Sequence, residues 1–204
     1  MVGRIVMTLG LVVSVTAVAE GQALGIPVVN NGAPTGLTIG ADVGLPNDDY
    51  GGGTAVAGRA ALGLGFFGVS GEISHYSPKN GDGVWSPAAA ATLRLLGGPL
   101  VPFRITLQGG VGHWAFGDEH FTHVPVSVGF AATIPNPAFA IKPWIAPRLD
   151  MVHSDVSGTS TEFGFSGGID LSLLNGMTVR AAYDHVSNDG VSLSIISLGL
   201  GFAP

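Results

Sequence analysis

Residues 161–202 read TEFGFSGGIDLSLLNGMTVRAAYDHVSNDGVSLSIISLGLGF. Glu162, Gly164, Ser166, Gly168, Asp170 and Ser172 fall on one parity, and Phe163, Phe165, Ile169, Leu171 and Leu173 on the other. Side chains of a strand alternate sides with a period of two, so one face is apolar and the other small, polar or ionic. After Leu174-Asn175-Gly176 the pattern resumes, with Thr178, Arg180, Ala182 and Asp184 set against Val179, Ala181 and Tyr183. After Ser187-Asn188-Asp189-Gly190 it resumes again, with Ser192 and Ser194, then Ser197, Gly199 and Gly201, against aliphatic neighbours. The adjacent Ile195 and Ile196 predict a β-bulge, one extra residue that resets the register. The charges of Asp170 and Arg180 sit among glycines and serines, as on an enclosed surface. A barrel in a bilayer accommodates both faces: lipid covers the apolar one and the lumen takes the polar one.

The start of the chain fits that setting. Arg4 makes a short basic region, and residues 5–16 are mostly apolar but too few to span a bilayer as a helix. Ala17-Val18-Ala19 is a cleavage signal for an exported chain, and Gly21-Gln22-Ala23 is a second candidate. The expected organisation is a signal peptide over 1–19 (alternatively ending after 23), an irregular lead-in over 20–35, and a barrel over 36–204. The lead-in, LGIPVVNNGAPT from Leu24 to Thr35, is rich in Pro, Asn and Gly.

Composition narrows the class. Only 11% of the 204 residues are charged, and 33 are Gly. A soluble globule usually carries about a quarter charged residues. Mean hydropathy is +0.46, yet beyond the signal peptide no apolar run reaches the roughly 18 residues of a membrane helix. There is no cysteine, so disulfides play no part. A formal net charge of −6 argues against a nucleic-acid partner.

Ten alternating stretches are legible. They run over about 36–45, 54–65, 69–76, 84–96, 103–114, 122–134, 139–153, 161–173, 178–186 and 191–202. Eight or twelve strands would also satisfy the even parity of such barrels. Pro143 and Pro147 fall on the outward face of the seventh stretch and predict bulges or weak pairing, because proline removes a ladder hydrogen bond. Tight connections near Phe66, Gly98, Asn136 and Asn175 alternate with longer polar ones near Asp48, Gly81, Glu119, Val156 and Asn188. Phe67, Phe103, Phe139 and Phe202 fall at the tight ends. Tyr76, Trp85, Phe163 and Tyr183 fall near the loop ends, and all eight are expected to face outward as two aromatic girdles. A soluble β-sandwich would turn the same aromatics into a core, but would leave an opposite face of Gly and Ser as its surface.

On these features, and on the closing run Ser197-Leu198-Gly199-Leu200-Gly201-Phe202, the chain resembles the small bacterial outer-membrane β-barrel proteins, the porin-like or OmpA-type membrane domains. The resemblance spans nearly the whole mature chain and is one of pattern. It implies an all-β antiparallel transmembrane barrel in the bacterial outer membrane, with short periplasmic turns and longer external loops. It also implies outer-membrane lipid and the barrel-assembly machinery as partners. In that family the last residue is usually aromatic; here Phe202 is followed by Ala203-Pro204.

No cofactor is implied by any motif. His75, His113, His120, His123, His153 and His185 all fall at loop-side strand ends or in loops. His120 and His123 form the best pair if a metal site exists. Ten-stranded barrels include the omptin-type proteases, whose sites use Asp and His at the external rim, and Tyr183-Asp184-His185 places those residue types together. Adjacent strand residues point to opposite faces, however, so these two do not cooperate. Gly164-Phe165-Ser166-Gly167-Gly168 matches the letters of a nucleophile elbow but lies inside a strand with no helix after it.

The inward parity collects Arg59, Arg94, Arg104, Lys142, Arg148 and Arg180 with Asp42, Glu72, Asp150, Glu162, Asp170 and Asp184. A three-residue turn at Leu174-Asn175-Gly176, ending in a left-handed glycine, places Asp170 opposite Arg180. A lumen only a little wider than one filled by side chains is then expected to hold an ion-paired plug. The expected function is a structural or surface-interaction barrel without enzymatic activity. A narrow porin-like channel is the alternative, and an omptin-like rim-site hydrolase the third reading.

Overall fold

A computed structural model describes residues 23–98, 101–188 and 191–204. The signal peptide of the sequence reading lies outside them. The chain forms β1 (Gly36–Pro46), β2 (Thr54–Leu64), β3 (Phe67–Ser77), β4 (Val84–Gly98), β5 (Val101–Phe116), β6 (Glu119–Ala132), β7 (Ile134–Pro135), β8 (Phe139–Ser154), β9 (Gly158–Leu173), β10 (Met177–Asn188) and β11 (Val191–Phe202). Apart from β6 and β7, consecutive strands pair antiparallel; β6 pairs β8, and β1 pairs β11. The ring is therefore closed. β7 continues β6 in the same register against β8 after a break at Thr133, so ten strands span the wall. Closure removes every open sheet edge, which an apolar solvent requires of a β-structure.

The outward parity is apolar along almost every strand: Leu37, Ile39, Val43, Val56, Leu107, Val126, Ile145, Ile169 and Leu200 are all exposed. Phe67, Phe103, Trp85, Phe163, Tyr183 and Phe202 are exposed on that same wall. Tyr76 departs from the expected girdle. It lies on the inward parity of β3 with Ser74, and it is buried. Its hydroxyl donates toward the carbonyls of Gly52 (2.8 Å) and Tyr50 (3.0 Å), so a polar tip inside the barrel has partners that lipid would not supply.

Of two expectations about irregularity, the bulge at Ile195-Ile196 is corrected, and of the bulges or weak pairing expected at Pro143 and Pro147 only the weak pairing is seen. β10 and β11 pair without a break from Met177↔Phe202 to Asn188↔Val191, so there is no bulge at Ile195-Ile196. Parity simply runs on: Ile195 is 1% exposed and faces the lumen, while Ile196 is 58% exposed and faces outward. Nor do Pro143 and Pro147 bulge β8, which pairs β9 continuously from Phe139↔Leu173 to Ser154↔Gly158. Two residues four apart direct their backbone groups toward the same neighbour, here β6. The weakness falls there: that ladder omits the pairs opposite Ala146-Pro147 and opposite Pro143.

The strands also run further than expected at the loop end. β5 and β6 leave only Gly117-Asp118 between them, and β8 and β9 leave only residues 155–157. The longer connections are 47–53 and 78–83. The first of these holds a short 3-10 helix, Asp48–Tyr50, capped by the Asn47 side chain.

The lead-in does not lie beside the barrel. It runs through it. Ala23, Leu24 and Ile26 pack with Ala55, Ala57, Tyr76, Val84 and Ala88 near the loop end. Val29 packs against Trp144, Ala146 and Ala182 lower down. At the turn end, a Cβ on Gly63 would lie 1.7 Å from the Pro34 carbonyl oxygen, and one on Gly129 would lie 2.4 Å from that of Asn30. Those inward positions are open to glycine alone, because the segment occupies the space a side chain would take.

Candidate functional site

The lumen is organised around Arg148, which sits on the inward face of β8 and is fully buried. Its Nε donates to Asp150 at 2.7 and 2.9 Å. Its NH1 and NH2 donate to Asp184 at 2.6 and 2.7 Å, a bidentate fork. Asp184 also accepts from the backbone N–H of Val28 (3.1 Å) and from Ser166 Oγ (2.5 Å). One cross-lumen cluster thus ties three wall strands to the threaded segment.

Nearer the turn end, Arg180 donates to both oxygens of Asp170 at 2.7 and 2.6 Å. The two residues are directly opposed, β9 to β10, with Gly176 at φ +83° closing the turn. Asn31 also donates to Asp170. Arg59 pairs with Asp42 at 3.0 Å across β2 and β1. A neutral set completes the seal: Thr106 Oγ1 donates to Asn30 Oδ1 (2.7 Å), and Asn30 Nδ2 donates to Ser127 Oγ (3.0 Å).

Other inward charges do not join a continuous ionic network. Glu72 is opposed to Arg59 in register. Arg94 donates to the Ala33 carbonyl at 3.2 Å instead of to a carboxylate. Among the described residues Glu72, Arg94, Arg104 and Lys142 enter no ion pair. Arg104 and Lys142 line a lower cavity of about 330 Å³ beside the segment, together with Arg59, Glu72, Asp170 and Arg180. The lumen therefore holds a peptide segment tied by hydrogen bonds to ion-paired carboxylates and to other inward side chains, where side chains alone had been expected. Glu162 lies near the loop end, where Ser160 Oγ donates to it at 3.2 Å.

Above Arg148 the lumen opens into a cavity of about 430 Å³ that reaches the loop end between Phe116 and residues 157–160. Tyr76, Trp114, Val186 and Ile195 form part of its wall, and His123, Asp150 and Asp184 lie at its floor. Tyr50 caps one side and meets Tyr76 edge-on at 5.9 Å. Burial pushes the Tyr50 phenol above the ordinary tyrosine range, so it stays neutral there. His123 is buried, and its Nε2 lies 2.7 Å from Asp150 Oδ1. Its Nδ1 has no hydrogen-bond partner among the described residues.

His120 and His123, the best pair had a metal site existed, are set apart by the same parity. Three residues apart on a strand means opposite faces. His120 stacks with His113 at 5.7 Å on the outer wall, while His123 faces the lumen. Asp184 and His185 divide likewise: Asp184 holds Arg148 inside, and His185 Nδ1 lies 3.1 Å from Ser194 Oγ outside. Ser166, at the centre of the elbow-like letters, is a lumen hydroxyl within β9. His123 was placed only as a loop-end histidine by sequence reasoning. The signal that it faces inward was available: it shares parity with Pro125 and Ser127, opposite Val124 and Val126.

No family model matches the chain, and no curated protein matches it. Solved structures do. The β-domain of the Bordetella autotransporter BrkA superposes with a TM-score of 0.58 at 12% identity, covering 84% of this chain and 100% of that one. The fold is that of an outer-membrane β-barrel. The outer-membrane enzyme PagL matches with a TM-score of 0.43 at 15% identity, over 82% of this chain and 99% of that one. The N-terminal barrel domain of Pseudomonas aeruginosa OprF matches with a TM-score of 0.38 at 13% identity, over 81% and 96%. At 12% identity the likeness to the BrkA β-domain assigns the architecture alone.

Proposed function

We propose that this chain is a closed barrel of the bacterial outer membrane with a structural or surface-interaction role, acting through its loop end and neither conducting solutes nor catalysing a reaction. The observation that carries this reading is the passage of residues 23–35 down the lumen, held by Asp184, Thr106, Asp170 and Arg94. Hydrogen bonds to ionised groups are stronger than neutral ones, and three of the four ties use a carboxylate or a guanidinium. The apolar outer wall supports lipid as its surroundings, and the barrel-assembly machinery is the partner such a fold needs during biogenesis. The loop end is the surface left for contact.

The test is conductance in planar bilayers. Wild-type protein is expected to give no steady openings, while a variant lacking residues 24–34 gives a persistent conductance. Porin-like conductance from the wild type would refute the reading.

A further inference from the structure

The lower cavity, beside the threaded segment, reaches the turn end at Ser172, Thr178 and Phe202. We propose that it is a binding site for a small dianionic oxyanion of the phosphate type, held between Arg104 of β5 and Lys142 of β8. The inference goes beyond the closed-barrel reading and does not depend on whether the lumen conducts.

The barrel occupies its other inward cations. Arg59, Arg148 and Arg180 each bind a carboxylate, and Arg94 donates to the Ala33 carbonyl. Arg104 and Lys142 both line the lower cavity, yet among the described residues they make neither an ion pair nor a hydrogen bond. Register explains why. Lys142 stands opposite Asp170, but Arg180 already holds both oxygens of that carboxylate and Asn31 donates to one of them. Arg104 stands opposite Ala131. Glu72, the other carboxylate of the cavity, falls level with Ala88 and Gly112, far along β5 from Arg104. An oxyanion supplies the missing acceptors together with the charge to match, and charge-assisted bonds of this kind are the strong ones.

Arg104 is also seated. A Cβ on Gly97 would lie 2.8 Å from Arg104 Cγ, and one on Gly32 would lie 3.3 Å from its Cδ and 3.5 Å from its NH1. The stem is lodged between a glycine at the end of β4 and a glycine of the threaded segment, both at positive φ (+107° and +116°). An arginine that only turns into solvent needs no such seat. Here a guanidinium is fixed at the cavity with its donors uncommitted, and its planar fork suits phosphate.

The two cations frame a gap. Arg104, Ala131 and Trp144 lie in one row across β5, β6 and β8, and Lys142 is two residues from Trp144 on the same face. At ordinary strand spacings their backbones stand roughly 12 Å apart, a span that two long side chains close around one ion. Ala131 between them leaves the space open. A volume of about 330 Å³ lies at the lower end of the range of small-molecule sites, roughly 300–1,000 Å³.

Calorimetric titration of the full mature barrel in a nonionic detergent at low ionic strength, against empty micelles as blank, tests this with inorganic phosphate as the probe. The expected result is saturable one-to-one binding, at least about tenfold tighter than for acetate, and none for ethylammonium. Arg104→Gln and Lys142→Gln should each weaken phosphate binding at least about tenfold, as the loss of one charge-assisted hydrogen bond implies. Neither side chain holds another residue, so both variants should keep the gel mobility of the wild type; if one does not fold, the other decides. Lys79→Gln, a change in the 78–83 loop at the opposite end, should bind phosphate as the wild type does. Absence of saturable phosphate binding, equal affinity for acetate, undiminished binding by the folded glutamine variants, an equal loss in Lys79→Gln, or failure of both glutamine variants to fold would overturn the proposal.

Discussion

Arg148 shows how much one side chain can be asked to do. It is fully buried and joins Asp150 on its own strand to Asp184 two strands away. Replacing it with Met keeps the volume and removes the charge, which strands two carboxylates. Arg148→Met should therefore lower the stability of the folded barrel by about 3–5 kcal/mol, the cost of breaking a buried pair by removing one partner. Denaturant titration followed by the loss of heat-modifiable gel mobility measures it. The Asp170–Arg180 pair admits a stricter test. Each single alanine variant should lose stability, and the double variant should cost little more than either, because the second change removes a charge the first had orphaned. Additive losses would mean that the two charges are solvated separately.

This pair was legible in the sequence, since parity and a three-residue turn fix which residues oppose. His123 and Tyr76 were less so, because a histidine or tyrosine suits an interface as well as a lumen. Only counting the parity of their own strands separates the two. The absence of a bulge at Ile195 had the same cause in reverse. The doubled isoleucine looked like a slip in register, when it is an apolar residue placed inside a partly apolar cavity.

Among the elements, the threaded segment is the one whose path sequence reasoning left open. Its Pro- and Asn-rich composition announces irregular structure and carries no periodicity to say where it lies. The evidence for its path is on the other strands, in the small inward residues that make room: Ala55, Ala57, Gly63, Ala88 and Gly129. A run of small residues on a lumen face reads equally well as an open pore. Adding side chains there should discriminate. Gly129→Val puts a Cβ where the Asn30 carbonyl stands. It should push the segment aside, break the Asn30 bonds to Thr106 and Ser127, and produce intermittent conductance in a barrel that still folds. Gly58→Val is the control, because a Cβ there meets nothing within 4 Å, and it should leave the conductance at the wild-type level.

On the scale of the whole molecule, the fold class was the most legible feature. Alternation over ten stretches requires a face for lipid and a face for the lumen, and a closed sheet is the structure that supplies both. The strand ends were less legible: the polar residues around Gly117 and Val156 read as longer loops because they are soluble-looking, although pairing continues up to Phe116↔Glu119 and Ser154↔Gly158. The loop end is expected to face outward from the cell. Single cysteines at Gly81 and Gly158 should react with a membrane-impermeant maleimide on intact cells. Labelling that appears only after the outer membrane is permeabilised would invert the topology.

The threaded segment has a further consequence, for the order of events in assembly. The seam between β1 and β11 joins residues about as far apart in the chain as the barrel allows, as in Ile39↔Phe202. Residues 23–35 precede β1 directly and lie inside the ring that this seam completes. The simplest route is for the final pairing to form around a segment already in place. A ring closed first would admit the segment only as a polar chain drawn past Arg148 and its partners. Biogenesis is thus less like zipping a cylinder than like wrapping one around its own leading end. A bulky, folded group attached ahead of Leu24 should slow the last, seam-forming step and leave the earlier hairpins untouched.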